Sequence, residues 1–317
     1  MKDNQKSIGG FLELELSQGT ECHSEAIALN TGRNCLEYIL RVRGYQRVYL
    51  PYYSCEALLE PFNKLDVDYT FYHINESLEL DDNIQLRDGE AILYINYFGL
   101  KQKFVETLVT KYGQRLIVDN TQAFYARPIN GIDTFYSCRK FFGVPDGAYL
   151  YCNKTFDLEL EQDQSWDRII HLVKRIDVSP EAAYSGFTEH EEQLKDNPIK
   201  QMSSLTHRIM ASIDCRQAAR RRRENYQLLE DALKVKNGIS LPLTDDSVPM
   251  VYPYLTDDNT LSSCLIANKV YVAKYWPNVL EWCDEDCIDH QLVKHLLPLP
   301  IDQRYNAEDM QRIIELI

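Results

Sequence analysis

From about residue 24 the chain alternates short apolar runs with amphipathic helical stretches, and this alternation restricts the fold more than any other feature. Asn34 to Val42 has helical spacing, Arg47 to Leu50 is a strand candidate closed by Pro51, Cys55 to Asn63 is helical, and Tyr69 to His73 is strand-like. Ala91 to Tyr97 is a strongly apolar strand, Lys103 to Tyr112 a helix, and Arg115 to Asp119 a further strand. Strands separated by helices pair in parallel through crossover connections, and such sheets collect ligand-binding groups at the carboxyl ends of their strands. The pattern predicts an α/β fold built on a three-layer, mainly parallel sheet.

Two more strands, Thr134 to Ser137 and Ala148 to Cys152, flank the loop CRKFFGVPDG. From about Asp157 to Gln201 the chain is rich in charge, reads as helical and holds no strand candidate. One long helix is expected from Met202 to about Leu233, where Gly238 and Pro242 break the pattern. The segments VPMVYPYL, CLIANKVYVAKYWP and AEDMQRIIELI then suggest a small α+β domain, which places a large domain at 1–205 and a small one at 206–317. A chain of 317 residues has room for both.

Charge and composition exclude several classes of function. With 48 acidic against 34 basic residues, the net charge of -14 repels a phosphate backbone and argues against nucleic acid as a partner. The run Arg220 to Arg223 lies in a helical pattern that spreads its four charges around the helix, as on a solvated or subunit-facing surface. No run approaches the roughly 20 apolar residues of a membrane span, and the first residues lack a signal-like apolar core, so a cytoplasmic protein without membrane contact is expected. The nine scattered cysteines read as reduced thiols. Cys283 and Cys287 have no second ligand pair, so no metal is expected.

Four local features carry chemistry. In NTGRNCLEYIL, Thr31 and Gly32 precede a helix whose free N–H groups suit a phosphate, although an N-cap alone would explain Thr31. LIVDNTQAF ends a strand in Asp119, with Gln122 three residues on; an aspartate capping the next turn is the plainer alternative. In DTFYSCRKFFGVPDGAYLY, Lys140 follows a strand among Phe135, Tyr136, Phe141, Phe142 and Val144, an apolar setting that favours a reactive free amine over a solvated loop lysine. LPYYSCEALLEPF brings adjacent tyrosines to a strand end, where a ring stacks on a flat ligand or packs in the core.

In this order, TGRNCLEYIL, VYLPYYSCEALL, YINYFGL, IVDNTQAF and FYSCRKFFGVPDGAYLY resemble the fold-type I pyridoxal-phosphate (PLP) enzymes, and most of all the DegT-type sugar aminotransferases. The likeness covers about residues 24 to 152, with a looser one at KYWP and LPLPIDQRYNAEDMQRI. It implies a PLP cofactor held by Lys140 as an internal aldimine, with Asp119 against the pyridine nitrogen and Gln122 beside the ring or its 3-hydroxyl. It further implies that the backbone of Gly32 and Arg33 and the hydroxyl of Ser137 receive the phosphate. Tyr53, or less favourably Tyr52, would stack on the ring, and Asn96 and Tyr97 would line the pocket. Two departures stand out. Ser137 is three residues before the lysine where the sugar aminotransferases place their serine five before it, and FFGVPDGA replaces their glycine-rich segment.

The implied reaction moves an amino group from an amino acid donor, glutamate foremost, to a keto acceptor such as a keto-sugar. Retention of lysine at 140 points away from the family's dehydratase branch. A homodimer with its site at the interface is implied as well, with His23, Arg221, Asn225 and Arg304 as candidates to reach a neighbouring site. Three other readings remain open: a lyase or decarboxylase on the same scaffold, a catalytically idle PLP or sugar binder, and a nucleotide-binding module, against which stands the lack of any GxGxxG or P-loop spacing.

Overall fold

A computed structural model describes residues 8–155 and 159–317, so the expected helical start at Asp157 lies outside the described residues. β1 (Ile27–Leu29) leads through Thr31 into α1 (Gly32–Arg43). β2 (Arg47–Pro51), α2 (Leu59–Leu65), β3 (Asp68–Tyr72) and β4 (Glu90–Ile95) follow. Then come α3 (Gln102–Tyr112), β5 (Leu116–Asp119), β6 (Asp133–Ser137) and β7 (Ala148–Tyr151). The remainder runs α4 (Ile170–Asp177), α5 (Pro180–Gln193), α6 (Ser204–Ser212), α7 (Cys215–Leu233) and β8 (Tyr252–Leu255). α8 (Leu261–Ala267), α9 (Val279–Trp282), α10 (Ile288–His295), β9 (Leu296–Leu299) and α11 (Ala307–Glu315) complete it.

Seven strands form one sheet in the order β1-β7-β6-β5-β4-β2-β3, and β8 and β9 pair apart from it. The pairs β2–β3, β2–β4, β4–β5 and β5–β6 are parallel, whereas β7 runs antiparallel to both β1 and β6. All residues of β4, β5 and β6 but none of β3's first four are fully buried, which matches a sheet covered on both faces at its centre and open at its β3 edge. The antiparallel β8–β9 pair lies in the C-terminal stretch, where a smaller α+β unit is expected. Among the described residues no helix is long and apolar enough to cross a membrane.

Three expectations change. The helix expected from Met202 to Leu233 is two helices, because Asp214 leaves helical geometry and its side chain accepts from Gln217 N to start α7 afresh. Cys22 and Cys215 form a disulfide across 193 residues, against the reading of all nine cysteines as free; so long a separation leaves no spacing signal. Arg222 is not on a solvated face. It is 1% exposed, on the inward face of α7 with Ala218, Asn225 and Leu229.

The loop that carries Lys140 is pinned at its far end. Asp146, with no solvent exposure, accepts from Ser203 N at 2.9 Å, from Ser203 Oγ at 2.7 Å and from Thr206 Oγ1, so it holds the first turn of α6. Gly147 beside it has φ 110°, and a Cβ there would stand 2.8 Å from Thr206 Cγ2, so only glycine closes the turn. Asp146→Ala strands three buried donors at once. A stability loss of about 2–4 kcal/mol is expected, read as a lower urea midpoint with an unchanged slope.

α4 and α5 pack against this loop through a stacked histidine pair, His171 and His190, with ring centroids 4.8 Å apart. Burial, then the Arg139 and neighbouring His171 charges, push the His190 imidazole down to about 3, and burial also lowers His171. The acids nearby, Glu191 and Asp163, are paired with Arg139 and Arg168. The unfolded chain, with ordinary histidines near 6.5, therefore takes up protons that the folded one refuses. Stability is complete above pH 6.5 and declines as pH falls from there toward 3, by up to about 1.4 kcal/mol per unit for one such group. His190→Gln is expected to flatten urea midpoints between pH 6.5 and 4.5 relative to the parent; equal slopes would exclude the pair as the cause.

Candidate active site

Parallel pairing sets the carboxyl ends of the central strands side by side: Ile95 lies opposite Asp119, and Asp119 opposite Phe135. Asp119, 4% exposed at the end of β5, accepts at Oδ1 from Thr121 N at 2.8 Å. Lys140 Nζ donates to Thr121 Oγ1 at 3.3 Å, so the two residues singled out from sequence meet on one threonine. Burial pushes the Asp119 carboxyl up, while the nearby Lys140 charge and the Thr121 bonds draw it back. Lys140 departs from its expected apolar setting. Phe141 and Phe142 are buried at 3% and 6%, but the lysine itself is exposed and lines an open cleft.

α1 supplies a second group. Thr31 caps it by accepting from Asn34 N, and among the described residues nothing accepts from the Gly32 and Arg33 N–H groups. A Cβ on Gly32 would stand 3.3 Å from Thr121 Cγ2 and 3.9 Å from Phe135, so glycine brings this helix end against the site. Ser137, buried, alternates onto the same face of β6 as Phe135 and thus toward α1. The Arg33 side chain turns away to Glu60 at 2.6 Å, leaving its backbone as the useful part.

The remaining expected residues divide. Gln122 lines the cleft and accepts from Phe98 N at Oε1, at 2.9 Å. Tyr53 is fully buried between Tyr97, stacked at 5.8 Å, and Trp276, edge-on at 4.6 Å, and its hydroxyl has no partner among the described residues. Tyr52 instead stacks on Phe71 and His73. Tyr97 donates to Tyr53 O. Of the expected residues only Lys140 and Gln122 line the cleft among the described residues; Gly32, Arg33, Tyr53, Asn96, Asp119 and Ser137 do not, and the Asn96 amide accepts from Lys101 N and donates to Gln102, both within its own turn. Of the four candidates for a neighbouring chain, His23 is buried among Phe124, Tyr136 and Tyr149, and Asn225 is buried against the carbonyls of Ile301 and Tyr305. Only Arg221 and Arg304 reach the surface.

The cleft has a volume of about 280 Å³ and lies between Lys140 and the C-terminal segment, with Gln122, Arg222, Tyr275, Trp276 and Asp302 in its walls. Arg222, Tyr275, Trp276 and Asp302 were not assigned to the site from sequence. KYWP, the arginine run and LPLPIDQRYNAEDMQRI are the signals that mark them. Trp276 has φ 57°, a left-handed backbone that is uncommon for a large residue and less favoured still before proline.

No family model matches the sequence, and no curated protein matches it. Solved structures do. The fold is that of sugar aminotransferase-type proteins: a DegT DnrJ EryC1 StrS aminotransferase from Brucella abortus superposes with a TM-score of 0.62 at 15% identity, over 92% of this chain and 84% of that one. DesV of S. venezuelae, in complex with a ketimine intermediate, gives 0.63 at 18% identity, over 92% and 83%. A protein of Streptococcus pneumoniae in its PLP form gives 0.63 at 12% identity, over 92% and 85%. At these identities the shared property is the fold, the mixed sheet together with the smaller C-terminal unit.

Proposed function

We propose that this chain is a PLP-dependent aminotransferase that transfers the amino group of an amino acid, glutamate foremost, to a keto acceptor of the keto-sugar class. The observation that carries the reading is the meeting of Lys140 and Asp119 on Thr121, at the carboxyl edge of a sheet whose fold neighbours are aminotransferases. The residues present fit PLP. A helix end with two N–H groups unbonded among the described residues and a serine hydroxyl suit its phosphate, a buried carboxylate suits its ring nitrogen, and the orphaned buried hydroxyl of Tyr53 suits a polar group on the ring.

When bound, PLP supplies the electron sink that stabilises a carbanion at the amino-bearing carbon. Gly32 N–H, Arg33 N–H and Ser137 Oγ would hold its phosphate. Asp119 would keep a proton on the ring nitrogen, and Gln122 Nε2, without an acceptor among the described residues while Oε1 serves Phe98 N, would donate to the 3-hydroxyl. Lys140 Nζ would hold the cofactor and, as a free amine, would move the proton at the donor's α-carbon. We also propose a homodimer. Trp166, just before α4, and Ile170, Val173 and Ile176 within it, exposed at 71%, 64%, 47% and 85%, support it as a surface that needs cover.

The test is a half-reaction. Purified protein with PLP is expected to absorb in the visible range, to bleach when glutamate is added, and to release 2-oxoglutarate in equal amount. Bleaching without 2-oxoglutarate would instead indicate a lyase or decarboxylase, and no response to any amino acid an idle binder.

A further inference from the structure

The N-terminal stretch ahead of β1 is without cover. Residues 8–20 belong to no helix or strand, no backbone group of residues 8–22 is hydrogen-bonded among the described residues, and Ile8, Phe11 and Leu12 are 97%, 98% and 87% exposed. The stretch meets its own chain through an exposed ion pair, Glu13 to Arg208 of α6 at 3.1 Å, and none of its apolar side chains joins the core. Its root is fixed all the same. Gly19 passes so close to α6 that a Cβ would stand 2.6 Å from the Ala211 carbonyl oxygen, and Cys22 is joined to Cys215 at the start of α7. Leu12, Leu14 and Leu16 alternate with Glu13 and Glu15, so an extended backbone sets the leucines on one side and the acids on the other, as in a strand that covers an apolar surface. Such a surface exists on α4 and α5. Ile170, Val173 and Ile176 stand exposed at three-residue spacing on α4, and Tyr184 and Phe187 extend the patch onto α5, the Phe187 ring lying 6.0 Å from that of His171. Lys174 and Arg175 beside it are exposed and in no ion pair among the described residues.

We propose that residues 8–16 form an arm that docks on the α4–α5 patch of a second copy of this chain, the two copies exchanging arms. This deepens the homodimer reading, on which the identity of the occupant rests. The two surfaces are complementary: the leucine side of the arm covers the apolar patch, and Glu13 and Glu15 come to Lys174 and Arg175, cations that lack a partner in their own chain. The lengths agree as well. The arm's 9 residues reach about 30 Å when extended, enough to run along the 14 residues of α5, about 21 Å. A membrane is the poorer partner, since the arm's acids and the net charge of -14 are repelled by anionic lipid. Two-fold exchange makes every such contact twice, and the fixed root at Cys22 lets the arm leave the body in one direction.

Sedimentation equilibrium compares the full-length protein with a variant lacking residues 1–16, with Leu12→Asp/Leu14→Asp and with Ile170→Asp/Ile176→Asp. All the substituted side chains are exposed, and far-UV circular dichroism checks that each variant folds. The parent is expected to be a dimer, and each variant to raise the dissociation constant about a hundredfold or more, because several large apolar side chains lose their cover. Trp166, just ahead of α4, should emit at shorter wavelength in the parent dimer than in the arm-deleted chain. Photoreactive benzoylphenylalanine in place of Leu12, in equal mixtures of light and isotopically heavy copies, should link the arm to α4–α5 peptides of the unlike copy. Links confined to single copies, links to another region of the partner, or an unchanged dissociation constant in the arm-deleted chain overturn the proposal and leave the homodimer standing. A parent that stays monomeric at every concentration sinks the homodimer reading, and this inference with it.

Discussion

Lys140→Ala is expected to yield a folded protein that gives no yellow species with PLP and nothing that borohydride can fix to the chain. Both halves follow from the geometry. The side chain is exposed to the cleft and its single hydrogen bond is a 3.3 Å contact to Thr121, so its removal should alter stability by no more than about 0.5 kcal/mol. Among the described residues no other lysine lines the cleft, so none stands where it could replace Lys140. Loss of the group that moves the proton costs about 10²–10⁴-fold in rate by itself, and loss of covalent retention adds to that. Mass spectrometry of the borohydride-treated parent should place the adduct on the peptide containing Lys140; a fixed adduct of the same yield in Lys140→Ala would move the proposed site elsewhere.

The central strands and the ends of most early helices were legible in the sequence because strands buried on both faces are short continuous apolar runs between turn residues, as in Ala91 to Ile95 or Leu116 to Val118. The positions of Asp119 and Lys140 were legible for a related reason: Asp119 closes one apolar run and Lys140 stands three residues past the end of β6, so both fall at the carboxyl edge of the sheet. What stayed hidden depends on contacts between distant segments. β1 has only three residues and gains its identity by pairing with β7. The burial of Arg222 could not be separated from its three arginine neighbours, because which face of α7 turns inward is decided by the Phe141 and Met250 carbonyls it meets. Asp146 looks like any turn aspartate until α6 is set upon it. Asn96 shows the same dependence on local geometry. It stands at a strand end as site residues do, but its own turn consumes its amide.

The second large effect is expected at Asp119. Asparagine has the same shape, and its carbonyl oxygen can still accept from Thr121 N, so Asp119→Asn preserves the turn that a capping aspartate would serve and removes only the charge. Since the carboxylate is 4% exposed and its burial raises its pKa, the substitution also removes a desolvation cost, and the urea midpoint should hold or rise. Turnover should nonetheless fall about a hundredfold, because a neutral amide no longer keeps the ring nitrogen protonated, an interaction of the strength of a hydrogen bond to a charged group. The same carboxyl sets the acid limb of the parent's rate. Burial raises its pKa in the cofactor-free chain, whereas a protonated ring nitrogen beside it would lower it, so cofactor affinity, and with it the rate at limiting PLP, should begin to fall sooner on acidification than a solvated aspartate would allow. In Asp119→Asn that limb should be missing from the residual activity. A variant with the parent's turnover and pH profile would show that Asp119 serves only the turn, and the pairing of carboxylate and ring on which the chemistry depends would have to be abandoned.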